Sequence, residues 1–447
     1  MSDAAALADR AASLLREMGL EAEIYLEDSV SSSIAVSSGK TVSFEMSEEL
    51  GAGIRIFDRG RVGFAHTSDL SADGVRRAAG AAKALAGHTD ADPGNRLPAR
   101  EIDSAPDEES SDLSVAGMET YRKVALARAM EEAARGVDPR ITRVPEAKYE
   151  DLVGRVEIRD TEGLSRGCEF ARVYGSIEVV AEEHRLSQSG VGCDFAVRFS
   201  ALDPFRIGRE AAGRALGKLG AGRAATGTAD IVFDPWAWAE LLEAFSPVLT
   251  GERVVKGRSF LAGNVGRRVA SETVTLIDDG RLAGADGSYP FDGEGVPTRR
   301  NTLVERGVLR GFLHNGWSAA RMGTAPTGNG SRSSYMELPG AAPTTLFLQP
   351  STRTPEEILN MVEGGFRITE LMGLHTLDPV TGEFSLGAGG QRIRSGRAEG
   401  PVAGIGLAGS IQGLFGGITA VGADLRLFPG NVAGSTILAR GLSISGS

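Results

Sequence analysis

The residues best equipped for chemistry lie between Phe291 and Gly330, where glycine and proline turns alternate with short apolar runs. Phe291-Asp292-Gly293-Glu294-Gly295-Val296-Pro297 sets two carboxylates on backbone that glycine frees for φ > 0, and Pro297 excludes a central strand there. A tight hairpin is predicted next, with Asn301–Glu305 and Val308–Leu313 joined by a two-residue turn at Arg306-Gly307. His314, Asn315 and Trp317 follow it, and Ala325–Gly330 closes the segment with turn formers that can present backbone N–H groups. Asp292, Glu294, Arg299, His314, Asn315, Asn329 and Arg332 sit in or beside these turns and form the candidate set for shaping a site or touching a peptide.

Other constellations are weaker. The histidines His66, His88, His184, His314 and His375 never fall in HExxH spacing, and Glu182 with His184, sharing a strand face, lack the third protein ligand that a metal needs. Glu240 and Glu243 share a helical face and could act as acid and base, although a solvated face opposite a tryptophan stripe is the simpler reading. Asp278, Asp279, Asp286, Asp292 and Glu294 could offer oxygens to a hard cation, but without EF-hand spacing. Gly387–Gly390 lacks a P-loop lysine and a GxGxxG spacing, and no GxSxG elbow occurs.

The elements that position these groups follow from periodicity. Asp3 can cap a helix whose face is Leu7, Ala11, Leu14, Leu15 and Met18. Five alternating strands are expected at Ala22/Ile24/Leu26, Ile34/Val36, Val42/Phe44/Met46, Ile54/Ile56 and Val62/Phe64, forming an antiparallel sheet with one wet face. A helix from about Ser71 to Ala86 covers the other face. The acidic, proline-bearing stretch of about 88–114 reads as a linker. The order then repeats: a helix with Met118, Tyr121, Ala125 and Ala129 inward, strands at Ile141–Tyr149, Val153–Asp160, Cys168–Glu182 and Ser187–Phe199, and a helix from Asp203 to Leu219. Ile34–Glu45 and Val156–Phe170 share one pattern of strand, glycine turn and strand, which predicts two similar helix-sheet-helix halves. Gly220–Gly222 then marks a boundary, giving an N-terminal α+β domain over 1–222 and a C-terminal, mainly β, barrel-like domain over 223–447 that holds the site region in its interior. That domain opens on strand Asp230–Phe233 and a helix starting at Asp234-Pro235, with Trp238, Leu241, Leu242 and Phe245 as its apolar stripe.

At 447 residues the chain exceeds the size of one core, and its 60 glycines, about twice average usage, favour a turn-rich α+β protein. A formal charge of −11 argues against nucleic acid as a partner, because phosphate binding rests on Lys and Arg. No apolar run is long enough to cross a membrane, and the first residues lack the pattern of a signal peptide, so a cytoplasmic protein is expected. Cys168 and Cys193 read as two buried thiols in a reducing compartment.

Taken in order, Phe291–Thr298, the Val308–Leu313 hairpin strand, Pro326–Gly330, Thr381–Ser385 with Gly387–Gly390, and Gly441–Gly446 resemble the TldD/PmbA family, once called modulators of DNA gyrase, over residues 20–447. The likeness is to the PmbA (TldE) branch. In the TldD branch, the resemblance implies, the helix matching Asp234–Phe245 carries HExxxH, whose histidines bind zinc while its glutamate takes a proton from the bound water, and a cysteine near the C-terminus completes the site. This chain has Glu240-Leu241-Leu242-Glu243 there, no histidine between Ile231 and Phe260, and Ala433 in place of the cysteine. The resemblance therefore implies a non-catalytic subunit with no metal or other cofactor of its own. Its partner would be a zinc-bearing TldD-type chain, and its substrate unfolded peptide. An active metallopeptidase and a homodimeric peptide-binding protein are the alternatives.

Overall fold

The computed structural model describes residues 3–98 and 111–446. Its first part is a six-stranded antiparallel sheet of order β3-β2-β1-β4-β5-β6. The strands are β1 (Glu21–Ser37), β2 (Lys40–Asp58), β3 (Arg61–Thr67), β4 (Ile141–Asp160), β5 (Ser165–Glu183) and β6 (Leu186–Ala196). The helices are α1 (Ala4–Glu17), α2 (Ala72–Ala86), α3 (Thr120–Arg135) and α4 (Pro204–Leu216). The strand order is symmetric about the β1/β4 pair, so the expected two halves exist, each a helix, a three-stranded meander and a second helix.

The five expected strands are three long ones. Ile24 and Ile34 both belong to β1, and the apolar gap between them, filled by Asp28, Ser29 and Ser32, is buried strand rather than loop. Likewise Ile141–Tyr149 and Val153–Asp160 are one strand, β4. The turns at Ser38-Gly39 and Arg59-Gly60 are present, all four residues at positive φ as a two-residue hairpin turn requires. His184, also at positive φ, lies in the β5/β6 turn and not on the strand face expected with Glu182.

α1 and α2 share one core and cover the same face of the sheet, leaving its other face free of helices. α3 and α4 cover the other half of that face. On α3 the buried residues are Lys123, Leu126, Ala127, Met130, Glu131 and Ala134, while Tyr121 is 70% exposed. The predicted face was misplaced because Lys123 is buried, its Nζ 2.6 Å from Asp151 and bonded to Ser32 Oγ.

Glycine lets the helices sit close to the edge strands in both halves. A Cβ on Gly63 would stand 1.9 Å from Ala82 O, and one on Gly190 2.2 Å from Ala211 O. Gly190→Ala is expected to lower stability by about 1–3 kcal/mol, since α4 must shift bodily. An unchanged denaturant midpoint would refute this packing.

The second part begins with β7 (Gly222–Arg223) and β8 (Gly227–Phe233), then α5 (Pro235–Phe245) and α6 (Gly251–Val255). β9 (Leu276–Asp279), β10 (Arg300–Glu305), β11 (Val308–Leu309), α7 (Gly316–Met322), β12 (Gly330–Ser331), β13 (Gly340–Ala341) and β14 (Leu346–Leu348) follow. The chain ends with α8 (Pro355–Asn360), β15 (Gly364–Met372), β16 (Glu383–Arg394), β17 (Arg397–Ser410), α9 (Ile411–Gly417), β18 (Ile418–Val421), β19 (Arg426–Leu427), β20 (Ala433–Gly434) and β21 (Ile437–Gly446). Strands β21, β8, β15, β16 and β17 pair in that order, and β17 pairs back onto β21, which closes a barrel. A small sheet of order β11-β10-β9-β14 shares its core with α5, whose stripe of Trp238, Leu241, Leu242 and Phe245 is buried as expected. α7 is capped by Asn315, whose Oδ1 accepts the Ser318 N–H at 2.9 Å.

Residues 99–110 of the expected linker lie outside the described residues. Its first part packs: Leu97 is buried and Asp92 N–H donates to Gly60 O at 2.7 Å. Cys168 and Cys193 form no disulfide and are half-buried, not fully buried as expected.

Candidate functional site

Within the segment from Phe291 to Arg332, Leu303, Val304, Leu309, Phe312 and Leu313 share one core with barrel strands, whereas its two ends, at Phe291–Glu294 and Arg332, lie elsewhere. Those two ends pack on the helix-free face of the six-stranded sheet, which is therefore not the wet face that alternation suggested. Glu23 and Arg55 stand directly opposite each other on β1 and β2, and both are buried there. Arg55 Nη2 meets Glu23 Oε2 at 2.6 Å, and its Nη1 meets Glu294 Oε1 at 2.8 Å. Arg332 pairs with the other Glu23 oxygen and donates from Nε to Gly293 O at 2.8 Å. Four charges thus form one buried chain joining sheet to loop. Burial alone would raise the Glu23 carboxyl, but Arg55 and Arg332 outweigh it and hold the group below its ordinary range. A signal for this existed in the sequence: large opposite charges on the supposedly wet face of strands rich in apolar residues.

The other candidates are drawn into the same loop framework. Asp292 Oδ1 accepts the N–H groups of Glu294 at 2.9 Å and Val296 at 3.0 Å, and its Oδ2 accepts that of Gly330 at 2.7 Å. Glu294 Oε2 accepts the Gly316 N–H, at the start of α7, at 2.6 Å. Asn329 donates to Asp278 Oδ2 at 2.7 Å and to Ala342 O at 3.0 Å. His314 is buried with Nδ1 3.2 Å from Ser318 Oγ. Arg299 lies, partly exposed, just before β10 of the small sheet. Six of the seven candidates therefore build and dock the loop, and their polar atoms are largely spent on that.

Three of these buried groups have displaced pKa values. Asp292 is pushed up to about 7 by burial and by the neighbouring Glu294 charge, against the three N–H groups it accepts. Asp278 is pushed up to about 6 by burial, although Asn329, Thr344 and Thr345 all donate to it. His314 is lowered to about 4 by burial. A cavity of about 320 Å³ lies between the sheet and this loop, walled by Tyr25, Phe170, Tyr289, Phe291, Asp292 and Asn329 among others.

The acidic run does not gather into a cation site. Asp279 pairs with Arg300 at 3.2 Å, Asp286 accepts from Tyr174 at 2.9 Å, and Asp278, Asp292 and Glu294 have the partners given above. Among the described residues no three His, Cys, Asp or Glu side chains are grouped to hold a metal.

The second region of interest is α5. β20 lies against it, so close that a Cβ on Gly434 would stand 1.9 Å from Pro235 O. A Cβ on Gly430 would come 3.9 Å from Glu243 Oε1. The helix and the C-terminal segment that the resemblance pairs in a zinc site are thus neighbours here, carrying Glu240, Glu243, Ala433 and Ser435. Glu243 is exposed, but Glu240 is not on a solvated face as expected. Its Oε2 is buried without a hydrogen-bond partner, and burial pushes its carboxyl up to about 7, with a Trp236 hydrogen bond opposing. Ser435 Oγ and Trp238 Nε1 are also buried without partners.

Three consecutive models of one family match: PmbA/TldA metallopeptidase domain 1 over residues 22–86, the central domain over 114–219 and the C-terminal domain over 226–446. Metalloprotease PmbA of Escherichia coli O157:H7 is 26% identical over 419 residues, spanning 93% of this chain and 90% of that protein. A metalloprotease TldD homolog of Buchnera aphidicola is 26% identical over 91% of this chain and 86% of its own. A crystal structure described as a modulator of a DNA gyrase from Thermotoga maritima superposes with a TM-score of 0.87 at 26% identity, over 98% of this chain and 99% of that one. TldE from Thermococcus kodakarensis shares the fold at a TM-score of 0.89 and 23% identity, over 98% of this chain and all of that one.

Proposed function

The chain belongs to the PmbA/TldD metallopeptidase family, and we propose that within it the chain is a subunit without a catalytic metal of its own, pairing with a zinc-bearing TldD-type chain to enclose a site for unfolded peptides. The observation that carries this is the side-chain set where α5 meets β20. Zinc takes imidazole, thiolate and carboxylate ligands, at least three from the protein, in tetrahedral geometry. Two glutamates with a methyl group and a hydroxyl do not fit that requirement, so no catalytic step is assigned to a metal here. An enclosed chamber suits a protease with little sequence selectivity, because a partner can wall off its site.

Support for a partner comes from β2. β3 pairs only with its Ala52–Asp58 stretch, so among the described residues the backbone of residues 40–51 is an unpaired sheet edge. On that edge Val42, Phe44 and Met46 are 61%, 49% and 59% exposed. A long edge strand with apolar side chains invites pairing with another chain unless it is covered.

The test is zinc content per chain and digestion of a denatured protein, on the chain purified alone and then mixed with a TldD-type chain. No zinc and no cleavage alone, with cleavage on mixing, is the expected result, and Phe44→Glu with Met46→Glu should weaken the pairing at least about tenfold. About one zinc per chain, with cleavage lost on chelation, would overturn the reading. A stable pair of identical chains indifferent to the TldD-type chain would favour a homodimeric peptide-binding protein.

A further inference from the structure

A second cavity, of about 540 Å³, lies between α4, the start of α5 and the wall of the barrel. It opens where the barrel ladder is irregular: β15 and β16 pair Ile368 with Gly390 and then Glu370 with Gly389, so Thr369 is bulged out of the ladder. Such bulges re-aim side chains and interrupt pairing.

The charge in its wall is opposite to that of the whole chain, which carries −11. Arg426 is spent on Glu210, with bonds of 2.9 and 2.8 Å, and Lys218 on Glu370 at 2.7 Å. Asp234 is spent capping α5, accepting the Ala237 N–H at 2.8 Å. Arg214 lies 4.3 Å over the Trp236 ring and donates to Val191 O at 3.1 Å. That leaves the guanidinium groups of Arg214 and Arg367 in the wall with no carboxylate partner among the described residues. Both line the cavity together with Asp234.

Two further features point to an occupant. Arg426 Nε, a donor in this wall, is buried with no hydrogen-bond partner. Buried polar atoms are rarely left unpaired unless something else meets them. Beside the cations, Trp236 and Phe428 meet edge to face, centroids 5.3 Å apart, and supply an apolar floor.

We propose that this cavity binds the C-terminal residue of a peptide, its carboxylate held by Arg367 and Arg214 and its side chain on the Trp236 and Phe428 rings. An anion alone would not need the aromatic floor, and an apolar segment alone would not need two guanidinium groups without carboxylate partners. Guanidinium suits carboxylate because it offers paired donors in a planar fork. The inference deepens the peptide-handling role proposed above and rests on it, naming which end of a peptide the chain holds.

The test is calorimetric titration of the isolated full chain with a pentapeptide ending in a free leucine, and with the same peptide as its C-terminal amide. The free acid is expected to bind at least about tenfold more tightly. Arg367→Gln should abolish that preference without moving the melting temperature, because Arg367 has no carboxylate partner to lose, and Arg367→Lys should retain part of it. Equal binding of acid and amide, no binding of either, or a preference that survives Arg367→Gln would overturn the proposal. Displacement of the peptide by an equal concentration of inorganic phosphate would also overturn it, marking a general anion site. Since pairing with a TldD-type chain and cleavage by the mixture are read separately, failure here with activity intact in the mixture removes only this inference.

Discussion

Replacing Arg55 by leucine is expected to cost about 3–5 kcal/mol, the usual result of stripping one partner from a buried charged network. Arg55 is 7% exposed and lies between Glu23 and Glu294, 1% and 2% exposed. Glu23 would keep Arg332, but Glu294 would keep only the Gly316 N–H. The unpaired carboxylate must then take up a proton or draw in water, and either weakens the contact between loop and sheet. In guanidinium chloride the variant should unfold at a lower midpoint, and its slope should fall if the sheet and the barrel come apart in separate steps. Arg55→Leu combined with Glu294→Gln should recover part of the loss, because the stranded charge is what costs most. A single Arg55→Leu change worth less than about 1 kcal/mol would mean the chain of charges is solvated and does not hold the two parts together.

Much of the scaffold was legible in the sequence because it rests on local rules. The caps at Asp3, Ser71, Asp203 and Asp234, the turns at Ser38-Gly39 and Arg306-Gly307, and the apolar stripe of α5 are all where residue type and period put them. What was not legible depends on partners distant in sequence. Lys123 is buried only because Asp151 and Ser32 meet it, and that pairing shifted the inward face of α3. The helix-free face of the sheet reads as wet because Glu23, Glu27 and Arg55 are charged, and residues distant in sequence, among them Glu294, Arg332 and Phe291, make it an interface. The candidate residues were found for a related reason. Turn-rich polar segments mark loops that must satisfy many backbone groups, and Asp292, Asn315 and Asn329 do that here. The cavity beside α5 gave no sequence signal, since Arg214, Arg367 and Trp236 are brought together only by the fold.

Stability is expected to fall by about 2–4 kcal/mol as pH rises from about 4 to about 7, a decline that Asp292 and Asp278 should dominate. An unfolded chain releases its aspartate protons near pH 4, whereas folded Asp292 and Asp278 hold theirs up to about 7 and about 6. In that window the folded state binds more protons, so each unit of rising pH favours unfolding. His314 works in the opposite sense. Folded, it stays neutral down to about 4, so between there and about 6.5 the unfolded chain binds the extra proton and rising pH stabilises. The histidine offsets part of the aspartate effect up to about pH 6.5, and above that the decline comes from Asp292, with half-buried Glu240 adding a share weakened by solvent. Below about pH 4 the sign reverses, because Glu23, held below its ordinary range, must be protonated and gives up Arg55 and Arg332. The maximum should therefore sit at about pH 4, where thermal melts across buffers of constant ionic strength would locate it. Asp292→Asn isolates the main term: Asn keeps an oxygen for the Glu294 and Val296 N–H groups but sets an amide against that of Gly330. The variant should be less stable overall yet have a flatter profile between pH 6 and 7. A slope there as steep as the parent's would show that Asp292 is ionised in the folded state throughout, and that the three N–H groups around it outweigh its burial.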